Sequence, residues 1–472
     1  MPEQPRRFLE RGVLGELIDL EACDHQLAAF AIDVTETRSR GNDALEAGVD
    51  HAPNVSPVYA RVNIDWRINM TRNDPWISAA EASRLLGVSR PTLYAYVSRG
   101  FVRSQAMQGS SRERRYSRDG VERLRQRTDE HRDPGKAAAR ALHWGVPVLE
   151  SSIALIDGTR LYYRGNDAVM LSRSRSVAEV ASLIWSGGFE LTLPPVLPDI
   201  TSMPTPDQKL PFVARAQCVL AGASARDPLA FDLRAEGVRV TGWRILCLLT
   251  HTATQSYVAA PTVDETLARA WRIGERGADL LRCALILCAD HELNVSSFTA
   301  RCVASAGSNP YAVVLAGLSA LEGTRHGGAS ARVESMLESI RRTRNVKDAL
   351  AERQRRGERL EGFGHPLYRD GDPRASALIN LLRERYARST ELIFLLDCID
   401  AAASVIREKP NIDFALAALA RVMKLPARSP LTLFAIGRTI GWIGHAMEQY
   451  ETGQLIRPRA KYVGVAPLSR ED

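Results

Sequence analysis

An all-α fold, with a small winged helix-turn-helix unit ahead of it, is what this sequence predicts on three observations. From about Val177 to Ile456 apolar residues recur at helical spacing, as Val333, Met336, Leu337 and Ile340 do at i, i+3, i+4 and i+7. One clear hairpin signal precedes that stretch: Ile153–Ile156, then Asp157-Gly158, then Leu161–Tyr163. Residues 76–127 carry two short capped helices followed by a Gly-Ser turn and an arginine-rich segment.

The chain is 472 residues long, 45% apolar and 25% charged, enough for a large core and more than one domain. Its best apolar run, near Leu280–Cys288, is broken by Arg282, so no membrane-spanning helix and no membrane partner are expected. The first 30 residues lack the basic start, apolar centre and small-residue cleavage site of a secretory leader. Seven scattered cysteines form no Cys-x-x-Cys pair. They read as reduced core thiols of a cytoplasmic protein, and metal binding through cysteine is not expected.

The net charge of +7 is unevenly spread. Residues 1–69 carry seven arginines against twelve acidic residues, a net −5, with weak periodicity broken at Gly41-Asn42 and at 53–57. They form a poorly defined extension, and Met70, just before the first ordered pattern, is an alternative start of translation. Residues 84–127 carry eleven arginines against three acidic residues, a net +8, which suits a polyanionic partner.

The helix-turn-helix unit is assigned to 70–131. Ser78-Ala79-Ala80-Glu81 reads as a capping box, Ala82, Leu85 and Leu86 follow at helical spacing, and Gly87 ends the helix. Ser89 caps a second helix with Leu93, Tyr96 and Val97 inward. Arg90, Thr92, Tyr94 and Arg99 are expected outward, types suited to phosphates and base edges. A turn at 109–111 leads to Arg112–Tyr116, with Arg115 as a further nucleic-acid contact. The segment resembles the winged helix-turn-helix of MerR-type regulators and phage excisionases, which implies double-stranded DNA as a partner. A solvated, arginine-rich helix pair that contacts protein is the plainer alternative.

Arg132-Asp133-Pro134-Gly135-Lys136 reads as a linker. Beyond it, three histidines sit in loops that do not look like core. They are His291 in His291-Glu292-Leu293-Asn294, His326 in Gly323-Thr324-Arg325-His326-Gly327-Gly328, and His365 in Gly362-Phe363-Gly364-His365. Flanking glycines let the backbone approach a ligand closely.

These loops, in order, resemble the signature segments of the citrate synthase family. So do the hairpin at 153–165, Pro410–Phe414, Gly437–Trp442 and Arg457–Tyr462. The resemblance spans about 145–464. It implies a helical fold with large and small domains and a short N-terminal β-hairpin. The synthase domain is placed at 143–464, with the small domain inserted at roughly 290–410. It further implies His291, Arg374, Arg438 and Arg457 as oxaloacetate ligands, Arg457 reaching the neighbouring subunit's site in a homodimer. His326, His365 and Asp413 would be catalytic, and Arg369 would contact the CoA phosphates.

The implied activity is condensation of acetyl-CoA with oxaloacetate, a step of the tricarboxylic acid cycle, with acetyl-CoA as co-substrate and no permanently bound cofactor. Two alternatives remain at this stage. One is 2-methylcitrate synthase using propionyl-CoA, since one methylene changes selectivity by only ~1–3 kcal/mol. The other is a DNA-binding regulator that uses the synthase domain as a metabolite sensor. A sensor needs the arginines but not the proton-transfer pair Asp413 and His326. An Asp413 that merely caps a helix, and arginines that merely form ion pairs, are the structural alternatives for single residues.

Overall fold

The computed structural model describes residues 76–107, 110–122, 124–125, 149–190, 206–256, 263–343, 345–368, 370–460 and 462–465. The N-terminal extension, the linker at 132–136 and Arg369 therefore lie outside the described residues. The chain divides into two compact units, Met1–Ala138 and Ala139–Asp472.

In the first unit, β1 (Trp76–Ser78) leads into α1 (Ala79–Leu86) and α2 (Arg90–Ser98), followed by β2 (Ser104–Met107) and β3 (Ser110–Ser117). The strands form an antiparallel sheet in the order β1-β3-β2. Ile77, Ala82, Leu93, Val102, Tyr116 and Val121 make its small core. Ser89 caps α2 as expected, and Gly87, at φ 65°, closes α1 in the left-handed conformation that a glycine adopts at little cost. The capping box at Ser78 forms only by half. The Ser78 hydroxyl accepts the Glu81 N–H, but the Glu81 carboxylate pairs with Arg118 at 2.8 Å instead of turning back. A charged partner across the unit outcompetes a neutral backbone donor.

The second unit opens with β4 (Ala154–Asp157), β5 (Arg160–Tyr163) and β6 (Asn166–Asp167), an antiparallel sheet one short strand wider than the expected hairpin. Helices then follow one another: α3 (Ala168–Ser174), α4 (Val177–Ser186), α5 (Phe212–Arg226), α6 (Ala235–Thr254), α7 (Val263–Ala270) and α8 (Glu275–Leu287). Next come α9 (Val295–Ser305), α10 (Pro310–Leu321), α11 (Gly328–Arg341) and α12 (Val346–Arg355). The last four are α13 (Pro373–Tyr386), α14 (Thr390–Val405), α15 (Ile412–Met423) and α16 (Ser429–Thr452).

Local chemistry sets many of these starts. Asn294, Asn309, Asp372, Ser389 and Asn411 each accept backbone N–H groups as N-caps, and Pro310 and Pro373 occupy first-turn positions where no N–H is missed. Helix α16 is buried almost throughout from Ser429 to Ala446 and packs on α4, α6, α8, α9 and α10. It is the axis of the core, and the loops before α9, α11, α13 and α15 carry the candidate site residues.

Candidate active site

The loop between α8 and α9 presents His291. Its shape is fixed from behind: Tyr163 donates its hydroxyl to the carbonyls of Ile286 and Asp290, and the Asp290 carboxylate accepts the Glu292 N–H at 3.1 Å. That last bond holds Glu292 at φ 53°, a strained conformation for a residue with a Cβ. The ring of His291 is buried, with Nε2 3.0 Å from the Tyr368 hydroxyl.

His365 stands edge-on to it, the ring centroids 5.1 Å apart. Its loop is pinned to the start of α15, since Gly364 N–H bonds Lys409 O and Asn411 N–H bonds Gly362 O. Gly362 and Gly364 have φ of 84° and 77°, and a Cβ at Gly362 would press on Val333 and Phe414. The His365 Nδ1 accepts the Leu367 N–H at 3.1 Å, so the neutral ring carries its proton on Nε2 and can donate there.

Arg374 is buried in the first turn of α13 and makes a bidentate pair with Asp372 at 2.9 and 2.8 Å. The Asp372 carboxylate also accepts the backbone N–H groups of Arg374 and Ile412, which ties α13 to α15. Burial pushes the Asp372 pKa up, and Arg374 overcomes it and holds the carboxyl below its usual range. Arg438, 1% exposed on α16, donates Nε to Cys288 O at 2.8 Å and lies over the Phe434 ring. Among the described residues its Nη1 meets no hydrogen-bond acceptor.

His326 sits just before α11, its ring edge-on to that of Phe434 with 5.8 Å between centroids. Its Nε2 is 2.9 Å from Ser296 Oγ, which also receives the Trp442 indole N–H and donates to Asn294 Oδ1 at 2.8 Å. Burial, and then the Arg438 charge, push the His326 pKa down to about 4. Its neutrality thus comes mainly from burial. His365 is likewise lowered to about 4 by burial and Arg374, and His291 is held well below the usual range by burial and by the two arginines.

Asp413 lies in the first turn of α15. The cap of that helix is Asn411, so the Asp413 carboxylate is free of that task and accepts the Ser330 hydroxyl at 2.9 Å. Burial raises its pKa, and Ser330 and Arg374 oppose the rise. Arg457 is exposed on the tail after α16, and no hydrogen bond or ion pair ties it to the described residues of its own chain.

A family model for the citrate synthase C-terminal domain matches residues 245–459. Citrate synthase of Haloferax volcanii is 32% identical over 366 residues, covering 69% of this chain and 95% of that protein. The chain belongs to the citrate synthase family. The 2-methylcitrate synthase of Shewanella oneidensis is 35% identical over 188 residues, covering 39% of this chain and 50% of that protein. The crystal structure of citrate synthase from Thermotoga maritima superposes with a TM-score of 0.54 at 26% identity, covering 70% of this chain and 98% of that one. A family model described as a helix-turn-helix domain matches residues 76–129.

Four side chains in this citrate synthase-type cluster escaped the sequence reading. Tyr368 and Asp372 lie within the His365 motif, and the Asp-Pro-Arg spacing was the available signal for a cap that also pairs with the arginine. Ser296 and Ser330 carried no signal, because their partners are 30 and 83 residues away.

In the winged unit Arg90, Tyr94 and Arg99 are exposed. They do not form one face with Thr92, as first expected. At ~100° per residue, Arg90 and Tyr94 fall on one flank of α2, with Thr92 and Arg99 on the other. The Thr92 hydroxyl turns back to Ser89 at 2.9 Å. Arg115 lies on β3, opposite Ser78 and Gln105.

Proposed function

We propose that the helical unit condenses acetyl-CoA with oxaloacetate to give citrate and CoA. The observation that carries this reading is Arg438, a buried guanidinium with an unanswered Nη1 beside histidines held neutral. A cation in that setting is costly unless a bound anion meets it.

In this reading Arg438, Arg374 and His291 receive the dicarboxylate, joined by Arg457 of the partner subunit in a homodimer. Asp413 removes a proton from the acyl methyl group, its raised pKa making it a stronger base. Electron density moves to the thioester oxygen, where His326 donates from Nδ1, the nitrogen not turned to Ser296. For that tautomer the Ser296 hydroxyl turns its one hydrogen from Asn294 Oδ1 to His326 Nε2, which then accepts it in a hydrogen bond. The enol carbon then attacks the keto carbon, and the keto oxygen takes a hydrogen bond and proton from His365 Nε2. Water finally cleaves the citryl thioester. Arg369 is proposed to meet the CoA phosphates, and closure of a small domain over oxaloacetate to exclude water beforehand.

The S. oneidensis relative favours propionyl-CoA as a second acyl donor to test. The winged unit is proposed to bind double-stranded DNA, supported by its helix-turn-helix match and by the net charge of +8 on its residues 84–127. A cytoplasmic location is supported by six free cysteines among the described residues. Steady-state assays of the full chain with oxaloacetate and each acyl-CoA test the main reading. Turnover is expected with acetyl-CoA, and saturable oxaloacetate binding without turnover would select the sensor instead.

A further inference from the structure

A second group of buried charges lies beside Arg438, and the steps above make no use of it. His445 on α16 has no exposed surface. Its Nε2 is 3.1 Å from Asp290 Oδ1 and its Nδ1 is 3.7 Å from Glu448 Oε2. Glu448 also accepts from Arg301, at 3.3 Å, and from the Ser152 N–H and hydroxyl. The signs therefore alternate from Arg301 through Glu448, His445 and Asp290 to Arg438.

Geometry places Asp290 between the last two cations. Arg438, Gly441 and His445 follow at i, i+3 and i+7, one face of α16. The Gly441 N–H bonds Ala289 O at 3.0 Å, and a Cβ at Gly441 would collide with the Asp290 carboxyl. The charge of Asp290 acts on Arg438, yet Arg438 spends its one described hydrogen bond on Cys288 O. A carboxylate whose charge reaches a buried, partly unpaired guanidinium would ordinarily close onto it.

We propose that His445 is a positioning residue for oxaloacetate: bonded to Asp290, it keeps that carboxylate off Arg438, so the guanidinium stays open to the substrate. The inference rests on the proposed condensation reaction. Burial works against an imidazolium here, but Asp290 and Glu448 outweigh it and raise the His445 pKa to about 9, which keeps the ring charged at neutral pH. The groups facing it are Asp290 before α9, Glu448 on its own helix and, beyond Glu448, Arg301 on α9.

The test is steady-state kinetics on the full chain, oxaloacetate and acetyl-CoA varied separately, with thermal unfolding of each variant. His445→Gln should raise the oxaloacetate KM by about tenfold or more and leave the acetyl-CoA KM within about twofold. Adding Asp290→Asn should restore the oxaloacetate KM, because the competing charge is gone while an acceptor for the Glu292 N–H remains. Asp290→Asn alone should stay within about twofold of wild type. A merely structural network predicts the reverse order, with the double variant the most impaired. An unchanged KM in His445→Gln, or no recovery in the double variant, overturns the proposal. Should His445→Gln fail to fold, Asp290→Asn decides alone, and a tenfold rise in its oxaloacetate KM overturns the proposal. Absence of oxaloacetate turnover in wild type would instead sink the condensation reading itself.

Discussion

The winged unit and the helical unit both depend on arginine and place it in opposite surroundings. In the helical unit Arg301, Arg374 and Arg438 are 3%, 2% and 1% exposed, and two of the three are met by carboxylates. In the winged unit Arg90 and Arg99 stand in solvent. A buried guanidinium loses its hydration, so every nearby group must be specified to hold it, and a missing acceptor marks a place for an anion. An exposed one keeps its water and contributes mainly a field, which attracts polyanions without naming one. The difference teaches how far a residue type can be read: the same side chain is site-like in one unit and only patch-like in the other.

The sharpest way to break this contrast is to remove proton transfer while keeping the buried cations. Asp413→Asn and His326→Ala should each lower kcat by ~10²–10⁴-fold, with oxaloacetate binding by calorimetry little changed. Near-normal turnover in Asp413→Asn would strip that residue of the role of base. Arg438→Ala should do the converse, weakening oxaloacetate binding by ~10²-fold, the scale of losing one partner of a desolvated charge pair.

Arg457 tests the contrast from the other side, as an exposed arginine proposed to act in a partner's site. Confirmed heterodimers of Arg457→Ala and Asp413→Ala protomers should regain activity in the sites that pair an intact Asp413 with an intact Arg457. No recovery in such heterodimers would exclude the shared site.

Next in size is a dependence of stability on pH in the helical unit. The folded pKa of His445, about 9, lies above its unfolded value of about 6.5. Its contribution is therefore fully present below about pH 6.5 and is lost as pH rises through 9, on the order of 3 kcal/mol. Thermal melts between pH 6 and 10 should show the decline, and His445→Gln should flatten it. An equal slope in the variant would assign the decline elsewhere.

The helical architecture was legible because its signals are local. The period of Val333 to Ile340, the cap at Ser89 and the turn at Asp157-Gly158 all act within a few residues, and the structure keeps each. The histidine loops were legible through their glycines, at Gly362 and Gly364 for a conformational reason that the positive φ values make explicit. What escaped is long-range choice. Glu81 had a local partner in Ser78 and took Arg118 instead. His445 finds Asp290 155 residues away, and nothing in either neighbourhood announces the other. The burial that keeps His326 neutral escaped too, since it is set by residues far along the chain.

The smallest effect concerns the exposed arginines. If α2 approaches DNA, Arg90 and Tyr94 share the flank that meets it, and Arg90 contributes chiefly a phosphate contact. Losing one such contact should weaken binding a few-fold, alike across sequences, and lower the log–log salt slope by about 0.9. Fluorescence anisotropy of labelled duplexes at several salt concentrations measures both quantities for wild type and Arg90→Ala. Arg99→Ala, on the opposite flank, should change the slope less, and that ordering fixes which side of α2 faces the duplex. Equal losses would mean that the approach does not distinguish the two flanks, since Arg90 opens the helix and Arg99 caps its other end. If wild type bound no duplex even at low salt, the field of the winged unit would serve a protein partner, the plainer reading of its exposed arginines.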